Sequence, residues 1–153
     1  SSTTTFENHY INDTHVEGTH ISTNASTING IKFINKVIDG KVTKANGDYI
    51  LKNSEKTLAL VEGMLTPLNP LDDVFKITGT ATGTTSKSGT TLDWSHNITE
   101  PLIRKASCRW IVKGIVEIKK GTAPVATLDY GSGTCDNQAV ITVNGQSREI
   151  NLQ

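Results

Sequence analysis

Apolar and polar residues alternate along much of the chain. Phe75, Ile77, Gly79 and Ala81 interleave with Lys76, Thr78, Thr80 and Thr82, and Leu92, Trp94, His96 and Ile98 interleave with Asp93, Ser95 and Asn97. A period of two sends each set to one face of a β-strand, so both segments read as half-buried strands. Between Arg109 and Lys119, Trp110, Val112, Gly114, Val116 and Ile118 share a face, while Arg109, Lys113, Glu117 and Lys119 share the other with Ile111 and Ile115. No apolar i, i+3, i+4, i+7 pattern persists for three turns. The best helical stretch, Ser54 to Met64, is interrupted by Thr57, Val61 and Gly63, so little or no helix is expected.

Turn chemistry punctuates these segments. Asn29-Gly30, Asp39-Gly40, Asn46-Gly47 and Asn144-Gly145 each predict a tight hairpin, because such dipeptides accept the positive φ of type I′ turns. Lys87-Ser88-Gly89 and Lys120-Gly121-Thr122 predict two more reversals. The expected fold is all-β, an antiparallel meander forming a twisted sheet, a sandwich or an open barrel. A loose echo of Val or Ile, any residue, then Gly recurs at Val16-Glu17-Gly18, Ile38-Asp39-Gly40, Val61-Glu62-Gly63, Ile77-Thr78-Gly79 and Val112-Lys113-Gly114. Its unequal spacing excludes a fixed-period solenoid. It points to bulges, or to places where a bulky neighbour such as Trp94 or Trp110 covers the backbone. Leu65 to Leu71, with Pro67 and Pro70, is the longest non-strand connection and the place for any subdivision. The reading is one domain over 1–153 with a flexible arm at 1–5.

Composition narrows the partners. The 153 residues carry 15 Lys plus Arg against 15 Asp plus Glu, and zero net charge removes the electrostatic case for nucleic acid or an anionic membrane. No run of 18 apolar residues is present, so no spanning helix is expected. Ser1 to Thr5 has neither a basic nor an apolar leader region, which reads as a mature or trimmed start. Aromatic residues make up only 5%, so Trp94 and Trp110 are expected in the core. Cys108 and Cys135 lack a CxxC spacing or clustered histidines, which argues against zinc and a thioredoxin-type pair. A single disulfide is the first reading, and it would imply export; two buried free thiols in a cytosolic protein is the alternative.

The most distinctive segment is Asp129-Tyr130-Gly131-Ser132-Gly133-Thr134-Cys135-Asp136-Asn137. Calcium needs six to eight oxygens, which Asp129, Asp136, Asn137 and Ser132 with turn carbonyls would begin to supply. The spacing matches no EF-hand, and a β-turn whose carboxylates bond loop amides explains the same residues. His9, His15 and His20 with Asp13 and Glu17 form an N-terminal group of transition-metal type, although His15 and His20 fall on opposite strand faces. A glycosidase pair can be drawn from Glu62, Asp72, Asp73 and Glu100, but no spacing selects one. Nucleophile and phosphate-binding motifs are absent, so no enzyme and no cofactor is expected, calcium aside. Thr78, Thr80, Thr82 and Thr84 line one strand face, as ice-binding rows do, yet Asp93, Ser95, Asn97, Lys113 and Glu117 break any neighbouring row. Trp94, Trp110 and Tyr130 are the residues that would stack on a sugar.

Asp73-Val74-Phe75-Lys76-Ile77-Thr78-Gly79, Pro101-Leu102, Cys108-Arg109-Trp110-Ile111-Val112-Lys113-Gly114, the Asp129–Asn137 segment and Val143-Asn144-Gly145 carry a resemblance. Over about residues 72–152, and loosely before them, the chain resembles the C-terminal region of uncharacterised exported proteins and lipoproteins of Bacteroidetes-type bacteria. The family pattern has an acid where this chain has Ser132, which counts against a metal role for the loop. The resemblance implies export, lipid anchoring through an upstream cysteine, and Cys108 bonded to Cys135; it brings no activity. The function expected is a non-enzymatic cell-surface or periplasmic module, structural or binding protein or glycan. The alternatives are a carbohydrate-binding or weakly glycan-active domain, and an assembly subunit whose N-terminal arm adds a strand to a neighbour.

Overall fold

A computed structural model describes residues 1–28, 30–62 and 73–153. Ten strands follow one another: β1 (Ser2–Ile11), β2 (Thr14–Asn24), β3 (Lys32–Thr43), β4 (Tyr49–Glu62), β5 (Val74–Lys87), β6 (Thr90–Lys105), β7 (Ile111–Lys120), β8 (Ala126–Ser132), β9 (Gln138–Val143) and β10 (Gln146–Asn151). Each pairs antiparallel with its sequence neighbours in one sheet of order β1 to β10, and β1 and β10 are its two open edges. The all-β meander is therefore a single open sheet. Among the described residues there is no helix, and the weak helical stretch from Ser54 lies in β4. The Leu65–Leu71 connection lies outside the described residues; the strands flanking it pair from Glu62 with Val74 to Tyr49 with Ser86.

The turns show which dipeptides did what. Ser88 and Gly89 (φ 53° and 80°) join β5 to β6, and Asn144 and Gly145 (φ 53° and 75°) join β9 to β10, both as two-residue turns with positive φ at each position. Gly47 (φ 92°) closes the β3–β4 reversal, where the Gly47 N–H donates to the Lys44 carbonyl. Asn29 is not among the described residues, but Thr27 and Gly30 pair across that turn. Asp39-Gly40 is no hairpin. It sits inside β3, where Asp39 (φ 50°) is the extra residue of a bulge between Val37 and Gly40. The positive φ that the dipeptide accepts serves to kink a strand there instead of reversing it. Asn12 (φ 57°) with Asp13 makes an unforeseen turn between β1 and β2, since Asn tolerates that conformation without a glycine partner. The arm expected at 1–5 is likewise corrected: Ser2 to Thr5 pair with Ser22 to Thr19, because the Asn12 turn folds β1 onto β2.

Register decides what each face carries, because residues directly opposite on adjacent strands share a face. One row runs Val16, Val42, Ile50, Thr85, Leu92 across β2 to β6. Another runs His20, Val37, Ser54, Ala81, His96, Ile118, Ala126, Val143 across β2 to β9. This is the apolar face. The other is polar, with the row Lys36, Glu55, Thr80, Asn97, Glu117, Thr127, Thr142, Ser147. Its Lys36–Glu55 pair at 3.7 Å is exposed at both ends and contributes little. Thr78, Thr80, Thr82 and Thr84 of β5 stand on this face, and Thr84 donates to Asp93 at 2.7 Å.

Burial is unequal along the sheet. The apolar residues shielded best are Ala81, Leu102, Cys108, Val112 and Ala139, all from β5 onward. With one layer there is nothing to cover a large ring fully, so Trp94 and Trp110, expected in the core, are half-buried. Trp94 instead covers backbone: a Cβ at Gly83 would meet the Leu51 carbonyl oxygen and lie 2.7 Å from Trp94 Cε2. Gly18 (φ 114°) has the same necessity at the Asp39 bulge, where a Cβ would stand 2.6 Å from Gly40 Cα. In the Val/Ile-x-Gly echo, Gly18, Gly79 and Gly114 mark such close strand approaches. Gly83→Ala is expected to lower stability by about 1–3 kcal/mol through overpacking, while Gly30→Ala, in open space, changes it by under ~0.5 kcal/mol. Urea melts of the two variants check this, and equal midpoints would refute it.

Candidate functional site

A row of the apolar face carries charge. Gly40, Lys52, Gly83, Trp94 and Lys120 stand opposite one another across β3 to β7. Gly83 leaves a gap in the sheet surface, the Trp94 indole fills it, and Lys52 and Lys120 flank the ring's position. His96, two residues along β6, packs on Trp94 with ring centroids 5.1 Å apart and tilted by 46°. Lys56 belongs to the same group, opposite Gly79. The His96 pKa is pushed below its ordinary value of 6.5, first by burial and then by repulsion from Lys56, Lys120 and Lys52. Burial also lowers the Lys56 pKa, with Lys52 adding to it. Among the described residues no carboxylate pairs with these three lysines. The nearby acids point to the polar face, where Glu55 meets Lys36 and Glu117 meets Lys119.

An apolar groove adjoins this group. A cavity of about 490 Å³ opens on β1 to β4, lined chiefly by Phe6, Val16, Val37, Val42 and Ile50, with Lys52 on its wall. Val42, Ile50 and Leu92 are 41%, 48% and 42% exposed, so an apolar row interrupted at Thr85 faces outward beside the lysines. Lys52, Lys56 and Lys120 escaped the sequence reading. The signal was present in the alternation Ile50, Lys52, Ser54, Lys56, Leu58, which places lysines on the apolar face once β4 is recognised as a strand.

The Asp129–Asn137 loop is organised by its own backbone. Cys108 and Cys135 are bonded, with Cα atoms 5.8 Å apart, so the loop is tied to the segment entering β7. Gly133 N–H donates to the Val112 carbonyl at 2.9 Å, and Lys105 Nζ donates to the Gly133 carbonyl at 3.0 Å. Asp129 accepts from Gly131 N–H at 2.9 Å and Asp136 from Gln138 N–H at 3.1 Å, the amide-bonding turns that the alternative reading described. The Asn137 carbonyl accepts from Leu152 N–H. Among the described residues no three His, Cys, Asp or Glu side chains are placed to hold a metal ion. A second cavity of about 430 Å³ lies over this loop, lined by Asp129, Tyr130, Asp136 and Glu149 among others. Burial raises the Tyr130 pKa.

The remaining residues singled out in the sequence stay apart. Trp94 is opposite Lys120 at one end of β7 and Trp110 precedes Ile111 at the other, a separation on the order of 30 Å along the strand. Trp110 has its indole N–H buried without a partner, and the Arg109 guanidinium lies 5.9 Å from its ring. His15 stacks on Tyr10 at 4.7 Å and meets Glu17 at 3.1 Å. His9 packs near Phe6 at 5.4 Å, and His20 lines the apolar cavity. Asp72 and the Glu62 side chain lie outside the described residues; Asp73 and Glu100 enter no ion pair. No family model, curated protein or solved structure matches the chain.

Two measurements follow from this geometry. Without reductant neither cysteine should be alkylated, and Cys108→Ser should cost roughly 3–4 kcal/mol on the loop-entropy account of a 27-residue separation. Mass spectrometry and denaturant melts decide both. Folding lowers the His96 pKa, so the unfolded chain takes up that proton first. The histidine's contribution to stability is complete above pH 6.5 and is lost as pH falls through its depressed folded value. Thermal melts between pH 7 and 5 at low salt should therefore show a decline that His96→Gln reduces; an unchanged decline would remove His96 as its source.

Proposed function

We propose that the chain is a non-catalytic binding module of an exported, cell-surface or periplasmic protein, and that it binds through the apolar face of its sheet. One observation carries the reading: the row Val16, Val42, Ile50, Leu92 and the cavity beside it face outward from a single layer, with nothing among the described residues laid over them. Exposed contiguous apolar surface of this kind marks interaction sites in stable proteins. The disulfide supports an oxidising compartment. Sugar recognition at Trp94 finds less support, because the ring lies against Gly83 and is flanked by lysines, with no carboxylate paired there to act on a glycosidic bond.

A second reading, self-assembly, rests on β1. This ten-residue edge is exposed almost throughout, carries no Lys or Pro, and leaves one row of backbone groups open to another strand. Its role would be to receive or share a strand in place, since it is already part of the sheet.

The binding face is tested by screening ligands and partners with the native chain and with Val42→Asp, whose charge falls in the middle of the apolar row. Binding lost in a variant that keeps the far-ultraviolet signature of the sheet is expected. Binding that survives the substitution would move the site to the polar face or the edges.

A further inference from the structure

The cation group and the apolar cavity share Lys52, and together they specify one kind of occupant. We propose that the apolar face holds a single long-chain fatty acid, its hydrocarbon chain along the Val16, Val42 and Ile50 cavity and its carboxylate at Lys52 and Lys120 beside Trp94. This rests on the apolar face being the binding face, and it names the ligand.

The cavity of about 490 Å³ lies within the ~300–1,000 Å³ of small-molecule sites, which suits one chain. Its lining of Phe6, Val16, Val37, Val42 and Ile50 offers hydrocarbon contacts, with Glu17, His20 and Lys41 also on its wall. The charge is complementary to an anion. In a chain with 15 basic and 15 acidic residues, Lys52, Lys56 and Lys120 gather on one face without a paired carboxylate among the described residues. Lys52 and Lys120 lie in one register row, and their flexible stems let both ammonium groups reach the space over Trp94. After burial, Lys56, Lys120 and Lys52 also lower the His96 pKa, so their positive charges act on one place, and a bound carboxylate there would meet them. Other occupants of the face fit less well. A second copy packed face to face would bring a second set of the same lysines to the interface. A membrane surface needs a broad basic excess that the neutral chain lacks.

The test uses oleate below its micelle concentration, oleyl alcohol as the uncharged chain of the same length, and calorimetry with tryptophan emission at low salt. Oleate is expected to bind one to one, and the alcohol at least about tenfold more weakly, as the loss of charge-assisted hydrogen bonds requires. Lys52→Gln with Lys120→Gln should bring oleate down to the alcohol's affinity and leave the alcohol unchanged, and Ile50→Asp should weaken both. Far-ultraviolet dichroism establishes that each variant keeps its sheet. Equal binding of acid and alcohol, no binding of either, or binding only to phosphatidylglycerol vesicles would overturn the proposal. So would a dimer in sedimentation whose formation Ile50→Asp abolishes. If oleate fails while another ligand is still lost with Val42→Asp, the fatty acid is wrong and the binding face stands; if no ligand responds to Val42→Asp, both readings fall.

Discussion

The backbone ladder is the interaction on which the other features rest. Strands β2 to β9 are paired on both sides, so the N–H and C=O groups of each inner strand find partners in its two sequence neighbours. Few side chains are fully sheltered: Val112 and Ala139 are the deepest, with Ala81, Cys108 and Leu102 near them in depth. A structure with so little enclosed interior depends on the continuity of its hydrogen bonds, and each place where the strands deviate has to be accommodated without breaking the pairing. The positive φ of Asp39 inside β3 and of Gly18 beside it does this. So does the Trp94 ring, which shields the backbone that Gly83 leaves uncovered.

Cys108–Cys135 acts on the better-buried half of this sheet. It links the segment before β7 to the loop before β9, next to Val112 and Ala139. The chain-entropy gain comes from closing the stretch between the two cysteines, 27 positions apart, and Gly133 and Lys105 add hydrogen bonds at the same place. The N-terminal half has no such crosslink. There Val42 and Ile50 remain exposed, so the sheet divides into a crosslinked, better-sheltered part and a more open one.

Electrostatics sharpen that division. Opposite charges on the polar face lie near one another, as Lys36 and Glu55 do, and cost nothing to keep in water. On the apolar face, burial first and then repulsion from Lys56, Lys120 and Lys52 lower the affinity of His96 for a proton. Lys56 and Lys120 remain exposed on that face, and Lys52 lines the apolar groove.

Alternation and turn residues made the strands legible in the sequence: the Leu92 to Ile98 and Phe75 to Ala81 faces, the Ser88-Gly89 and Asn144-Gly145 turns, the lack of helix and the one domain-sized meander follow from periods of two and from residues that accept positive φ. Cys108 and Cys135 were legible as a pair because the chain has no others. What a local pattern does not contain is which strands lie beside which residues. Asp39-Gly40 has the same chemistry whether it reverses a chain or bulges a strand, and only the register against β2 and β4 selected the bulge. Lys52 and Lys120 are 68 positions apart and become neighbours of Trp94 only through three successive pairings. The face they share with Ile50 was decided by tertiary structure, because charge and apolar surface converge through strand pairing and not through distance along the chain.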